Sequence, residues 1–101
     1  MGTLSDWLAG QHPGLRTYKT FQEKALQLSV SETKYRALYR LLADIAGRYV
    51  TAYDEKPLPV EVAKQAYEKF LALVKNAEQA IDAPFERQIE MLNTIAGAEI
   101  F

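Results

Sequence analysis

The chain contains no cysteine and a single histidine, His12, among its 101 residues. Without cysteine, neither a disulfide nor a thiolate metal site can form, and zinc sites need several converging donors. A Ser-His-Asp triad would depend on the same His12, which lies in the proline-glycine turn of residues 11–14 with nothing nearby in sequence to orient it. We therefore expect no catalytic residue, no metal and no cofactor, and a chain that is not an enzyme.

An excess of charge of one sign and a long apolar run are also missing. Twelve basic residues face 13 acidic ones, for a net charge of −1, whereas a dedicated nucleic-acid binder is usually clearly basic. No apolar run approaches the roughly 20 residues that a transmembrane helix needs. The N-terminus lacks a secretory signal, and Asp6 stands where a myristoylation site requires Ser or Thr. These features predict a soluble cytoplasmic protein that does not bind a membrane.

Strand alternation and internal repeats are absent, and helical periodicity takes their place. Apolar residues recur every three or four positions over 35–53, 60–81 and 85–96, with no charge at the centre of any stripe. The last stripe consists of Phe85, Ile89, Leu92, Ile95 and Ala96. Shorter patterns indicate a two-turn helix before Gly10 and a second helix over about 15–28. The length is that of one domain, 1–101. The prediction is an all-α, up-and-down bundle of about four helices with a short N-terminal helix, in which every ionised side chain stays in water.

Several residues mark expected helix ends. Ser29 with Glu32 fits a capping box, and Ser31 fits equally well as an N-cap. The central helix therefore has two possible starts, which lie two residues apart. Pro59 suits the first position of the next helix, and Asp82 could cap the last one. Gly47 lies inside the central helix, where we expect a small residue to allow close helix packing.

Tyrosine is the unusual feature of the composition. Five of the six tyrosines lie between residues 35 and 67, beside arginines on the polar side of the central helix. Interfaces are enriched in Tyr and Arg, although tyrosines at the edge of a core can also bury the ring and leave the hydroxyl in water. The preferred hypothesis is a non-enzymatic module that binds another protein or itself. Its predicted contact residues are Tyr35, Arg36, Tyr39, Arg40 and Leu41.

Two alternatives come from other functional classes. A nucleic-acid-binding regulator would use a basic helix face formed by Lys34, Arg36, Arg40 and Arg48. The helix-turn-helix form of this idea is weak, because Pro57 and Pro59 would interrupt the recognition helix. An enzyme would need a polar group inside the bundle. A cavity lined by Lys24, Lys69 or Glu99 would provide one.

Overall fold

The computed structural model describes residues 3–100, and this part of the chain is all-helical. The predicted all-α class is confirmed, with no β-strand between residues 3 and 100. No helix in this region has the length and apolar character needed to cross a bilayer. The five helices that pack together are α1 (Thr3–Ala9), α2 (Leu15–Ser31), α3 (Arg36–Tyr53), α4 (Val60–Gln79) and α5 (Phe85–Ala96), and a 3-10 turn (Thr33–Tyr35) joins α2 to α3.

Aromatic rings at the centre of the core bring three helices together. The ring centroids of Tyr18 on α2 and Tyr49 on α3 lie 4.2 Å apart. Phe70 on α4 meets the ring of Phe21 edge-on at 4.7 Å and that of Tyr18 at 5.4 Å. All four side chains are completely buried. Offset and edge-to-face pairs of this kind add about 0.5–1.5 kcal/mol each beyond the area they bury.

Gly47 on α3 lies against the side chain of Gln22 on α2. A Cβ atom at this position would stand 2.6 Å from Nε2 of Gln22, which is closer than non-bonded atoms come. The three nearest atoms all belong to the end of the Gln22 side chain, so the expectation that Gly47 is small for packing between helices stays a prediction. The neighbouring atom belongs to the end of a flexible side chain, so the approach constrains Gln22 more than the backbone.

The junction between α2 and α3 differs from both predicted helix starts. Helix α2 continues through Ser29 to Ser31, and the buried Ser29 hydroxyl donates to the carbonyl of Leu26, 2.6 Å away in the same helix. No side chain caps the start of α3. The capping-box and N-cap predictions were wrong because the end of α2 is satisfied in another way. The Arg36 Nε donates to the carbonyl of Ser29 at 3.0 Å, and the backbone N–H of Glu32 donates to that of Leu28.

We expect the substitution Ser31→Ala to change the free energy of unfolding by less than about 0.5 kcal/mol. Ser31 is exposed at the last position of α2, and alanine is a good helix former. Urea unfolding followed by circular dichroism measures the change. A loss of about 1 kcal/mol would indicate that Ser31 caps a helix after all.

The two proline-marked helix starts lie one or two residues from the predicted positions. Pro59 is extended and immediately precedes α4, instead of being its first residue. At α5 the preceding residue is Pro84, with no side-chain cap, so Asp82 does not cap this helix. The connection is held from inside α5, because Nε2 of Gln88 donates to the carbonyls of Ile81 and Ala83 at 3.0 and 2.9 Å.

A buried carboxylate holds α1 on α4. Glu78 is 5% exposed, and its two oxygens accept hydrogen bonds from the backbone N–H groups of Leu4 and Ser5 at 2.9 and 3.0 Å. The negative charge faces the N-terminal end of a helix, where free N–H groups and the helix dipole favour it. The prediction that every ionised side chain stays in water was therefore wrong. The apolar pattern of α4 could not reveal the role of Glu78, because the carboxylate binds backbone N–H groups that lie 74 and 73 residues away in the sequence.

The hydroxyl of Tyr18 is buried without a hydrogen-bond partner among the described residues. Burial raises the pKa of Tyr18 above the ordinary tyrosine value, and the neighbouring Tyr49 and Tyr67 raise it further. Burial also raises the pKa values of Tyr39 and Tyr49. A buried hydroxyl that makes no hydrogen bond costs free energy, and ionising it inside the core costs more.

We expect Tyr18→Phe to increase the free energy of unfolding at neutral pH by about 1 kcal/mol, because it removes an unpaired polar atom and keeps the ring. Tyrosine in the unfolded chain ionises near pH 10. Since the folded-state pKa is raised, the stabilisation from protonated Tyr18 is complete below pH 10 and is lost as the pH rises above it. Urea titrations between neutral pH and the alkaline range should therefore show a smaller alkaline loss in Tyr18→Phe than in the wild type. A destabilised variant at neutral pH would contradict this description of the hydroxyl.

Candidate functional site

Part of the apolar side of α5 is not covered by the core. Phe85 is 75% exposed and Ile89 is 42% exposed, while Met91 and Ile95 are buried. At about 100° per residue, Phe85, Ile89 and Leu92 fall within one narrow sector of the helix, next to the sector of Met91 and Ile95. Helices α3 and α4 therefore cover only part of the apolar side of α5.

The exposed sector of α5 continues onto α3. A shallow cleft of about 60 Å³ lies between the two helices, lined by Lys34, Tyr35, Ala37, Leu38, Gln88 and Leu92. Leu41 follows Ala37 by one turn on the same side of α3 and is half-buried against the core. We call the exposed and half-buried apolar set the α3–α5 surface; it consists of Tyr35, Ala37, Leu41, Phe85, Ile89 and Leu92.

The structure divides the five predicted contact residues. Tyr35 and Leu41 are half-buried and belong to the α3–α5 surface, while Arg40 is exposed about 100° around the helix from Leu41. Arg36 is exposed but directs its Nε to the carbonyl of Ser29. The five residues therefore do not form a single patch.

Tyr39 does not belong to a contact surface, which corrects its predicted role. It is 6% exposed and lies among the buried side chains of the core. Burial raises its pKa, with further contributions from Glu78, Glu32 and Tyr35. The physical reason is helical phase: Tyr39 shares the inner side of α3 with Leu42 and Ala46, which are both completely buried.

The apolar pattern predicted Phe85 and Ile89 on the core side of α5, and the structure exposes both. The predicted stripe was Phe85, Ile89, Leu92, Ile95 and Ala96. Of these Ile95 is completely buried, whereas Phe85 and Ile89 are exposed, so the side of α5 that packs inward is rotated toward Met91. One signal could have found this difference. The apolar arc of α5 includes Met91 as well, so it is wider than one packed neighbour requires.

The basic face of α3 is partly engaged within the chain. Arg48 forms an ion pair with Asp44 at 3.1 Å, and Arg36 bonds the end of α2. The ammonium of Lys34 lies 5.5 Å from the ring centroid of Tyr35. Arg40 is exposed and has no ion pair shown with the described residues. This face therefore does not present four unengaged cations to a phosphate backbone.

Two clefts contain ionisable side chains that the enzyme alternative named. The larger, about 280 Å³, lies between α1 and α2 and includes Trp7 and Lys24, with the Lys24 ammonium 5.2 Å from the Trp7 ring centroid. The other, about 160 Å³, lies between α3 and the segment that follows α5 and includes Arg48 and Glu99. Lys69 is exposed on α4. The hydroxyls of Thr3 and Ser31 also line the larger cleft, but among the described residues no hydrogen bond joins either of them to Lys24, as an activated nucleophile would require.

Residues that could ligate a metal are scattered through the described part of the chain. Among residues 3–100, no three histidine, aspartate or glutamate side chains converge on a common point. His12 is exposed in the turn between α1 and α2, where its carbonyl accepts a hydrogen bond from the Thr17 hydroxyl at 2.6 Å. Its role in the fold is that of a turn residue.

Comparison with known proteins finds no protein-family model, no curated protein and no solved structure that matches this chain.

Proposed function

We propose that this chain is a non-enzymatic helical module that binds protein, either another chain or itself, through the α3–α5 surface. The observation that carries the proposal is the exposure of Phe85, together with Ile89 and Leu92 in the same sector of α5. Single exposed apolar residues are normal on protein surfaces, but a contiguous apolar strip indicates an interaction site. Spacing at i, i+4 and i+7 is the pattern with which one helix contacts another.

The other exposed apolar residues provide a natural comparison. Val30 is 73% exposed near the end of α2, and Val60 is 82% exposed at the start of α4. Val60 has no exposed large apolar neighbour one turn along α4. Val30 has one, Leu26, which is 37% exposed one turn earlier in α2, so this pair is shorter than the strip on α5. The α3–α5 surface differs from these positions because its apolar side chains continue from α5 onto α3.

Site-specific photo-crosslinking tests the proposal directly. Phe85 is replaced by the photoreactive analogue p-benzoylphenylalanine, which keeps an aromatic ring at the site. Val60 carries the same analogue in a matched control protein. Both are irradiated as purified protein and after addition to native cell extract, and the adducts are identified by mass spectrometry. We expect defined protein adducts from position 85, either with a second copy or with another protein, and none at position 60. Equal adduct patterns from both positions, or none from position 85, would contradict a binding role for the α3–α5 surface.

The nucleic-acid alternative makes a different prediction for the same protein. Binding through Lys34, Arg36, Arg40 and Arg48 would require contacts with phosphates, and the affinity would fall steeply as the salt concentration rises. We expect no such salt-dependent binding in fluorescence anisotropy with labelled duplex DNA. A steep salt dependence that is lost in Arg40→Ala would favour the nucleic-acid function.

The up-and-down order of α2 to α5 also belongs to the proposal. Tyr18 near the start of α2 contacts Tyr49 near the end of α3, which supports antiparallel α2 and α3. An electrostatic contact between Tyr39 and Glu78 supports antiparallel α3 and α4. Gln88 near the start of α5 lines a cleft with Leu38 near the start of α3, which supports an α5 that runs in the direction of α3.

A further inference from the structure

The α3–α5 surface is bordered by opposite charges on its two sides. On α5, the exposed residues Glu86 and Glu90 lie in the sectors beyond Ile89, on the side away from α3. On α3, the exposed Arg40 lies on the side away from α5, and Lys34 lines the end of the cleft. We call Glu86 and Glu90 the acidic edge, and Lys34 and Arg40 the basic edge.

Ion pairs within the chain leave both edges available. Glu90 forms one contact with Arg87 at 3.8 Å, and both side chains are more than half exposed. A surface pair of this kind contributes little and can exchange partners. Farther along α3, Arg48 and Asp44 neutralise each other, so the positive character of that helix is concentrated near its start.

Two-fold symmetry determines which edges meet when the surface faces its own copy. A two-fold axis that lies in the contact plane and runs along α5 exchanges the two sides, so each acidic edge faces the partner's basic edge. A two-fold axis across the helices keeps the sides, so acidic faces acidic and basic faces basic. An isologous contact repeats each pairing twice, which doubles the difference between the two arrangements.

Resting on the proposed function, we propose that the partner of the α3–α5 surface is a second copy of this chain, with the two α5 helices parallel about a two-fold axis. The apolar strip of each copy covers that of the other. Along each of the two borders of the contact, which we call the seams, Glu86 and Glu90 of one copy face Lys34 and Arg40 of the other. The net charge of −1 means that long-range repulsion between copies is small. Complementary edges select the parallel arrangement, because like charges across a contact are unfavourable.

Charge exchange between the edges tests the proposal. The first variant, E86K/E90K, makes both edges basic, and the second, K34E/R40E, makes both acidic. The third combines the four substitutions, which exchanges the edges and keeps the net charge of −1. The control, E61K/E68K, changes the net charge as much as the first variant but at exposed positions of α4. Size-exclusion chromatography with light scattering, over a concentration series, gives the dimer dissociation constant of each protein, and circular dichroism confirms that each is folded.

We expect the wild type to dimerise, and each double variant to weaken dimerisation by about tenfold or more, since both seams then oppose like charges. The quadruple variant and an equimolar mixture of the two double variants should recover most of the affinity, whereas the control should match the wild type. Glutamine at the same positions, as E86Q/E90Q and K34Q/R40Q, provides milder variants should a charge reversal fail to fold.

Two outcomes would overturn the proposal in different ways. A monomeric wild type at every concentration would exclude the second copy as partner, and the photo-crosslinking at Phe85 would then decide independently whether another protein binds there. A dimer that the double variants weaken, but that the quadruple variant does not restore, would exclude the parallel arrangement.

Discussion

Truncation of Phe70 to alanine should lower the free energy of unfolding by about 3–5 kcal/mol, the range of buried aromatic-to-alanine changes. Phe70 is completely buried, and its ring joins α4 to the rings of Phe21 and Tyr18 on α2. Its removal leaves a cavity between helices and breaks two aromatic contacts at once. Urea denaturation followed by circular dichroism gives the change.

Phe85→Ala is the matched control for this prediction. The two substitutions are chemically identical, but Phe85 is 75% exposed, so at protein concentrations below the dimer dissociation constant its loss should change stability by no more than about 0.5 kcal/mol. The contrast tests the assignment of inside and outside in a single experiment. Similar losses for both variants would mean that α5 is rotated relative to the structure described above.

Glu78→Ala should produce the second-largest effect, a loss of about 2–3 kcal/mol, because two charge-assisted hydrogen bonds to the start of α1 disappear. The damage should be local. Leu4 and Leu8 are buried, so α1 has further contacts with the core, and the Tyr67 hydroxyl still donates to the carbonyl of Leu8 at 2.7 Å.

Hydrogen exchange measured by mass spectrometry locates the effect of Glu78→Ala. Peptides covering α1 should exchange faster than in the wild type, while those covering α2 and α3 keep most of their protection. Glu68→Ala is the control, since Glu68 is exposed on the same helix. Unchanged exchange in α1 would show that the carboxylate is not what holds this helix.

The sequence predicted the helices well because their signals are local. Periodicity over 60–81 and 85–96 and the two prolines before α4 and α5 locate the elements to within about two residues. The start of α3 was misplaced because Ser29 and Ser31 look like caps, whereas a long-range hydrogen bond from Arg36 satisfies the end of α2 instead. A local capping pattern contains no information about a hydrogen bond from a residue outside it.

Which side of each helix faces the core could be predicted only in part. Leu42 and Tyr49 are buried as the stripe of α3 indicates, but a wide arc does not say how much of it the neighbours cover. For this reason Tyr39, which was predicted to be a contact residue, is buried, and Phe85, which was predicted to face the core, is exposed. Glu78 was missed because its partners are backbone groups of α1, far away in sequence.

The proposed binding function requires that Phe85 and Ile89 contact a partner and not the core of their own chain. The measurement that tests it most directly combines light scattering and urea unfolding on the double variant F85D/I89D, with V60D as the exposed control. We predict that F85D/I89D loses its self-association while V60D retains it. At concentrations where the wild type is monomeric, F85D/I89D should be folded, with stability within about 1 kcal/mol of the wild type. An unfolded F85D/I89D, or one that associates as strongly as the wild type, would contradict the account.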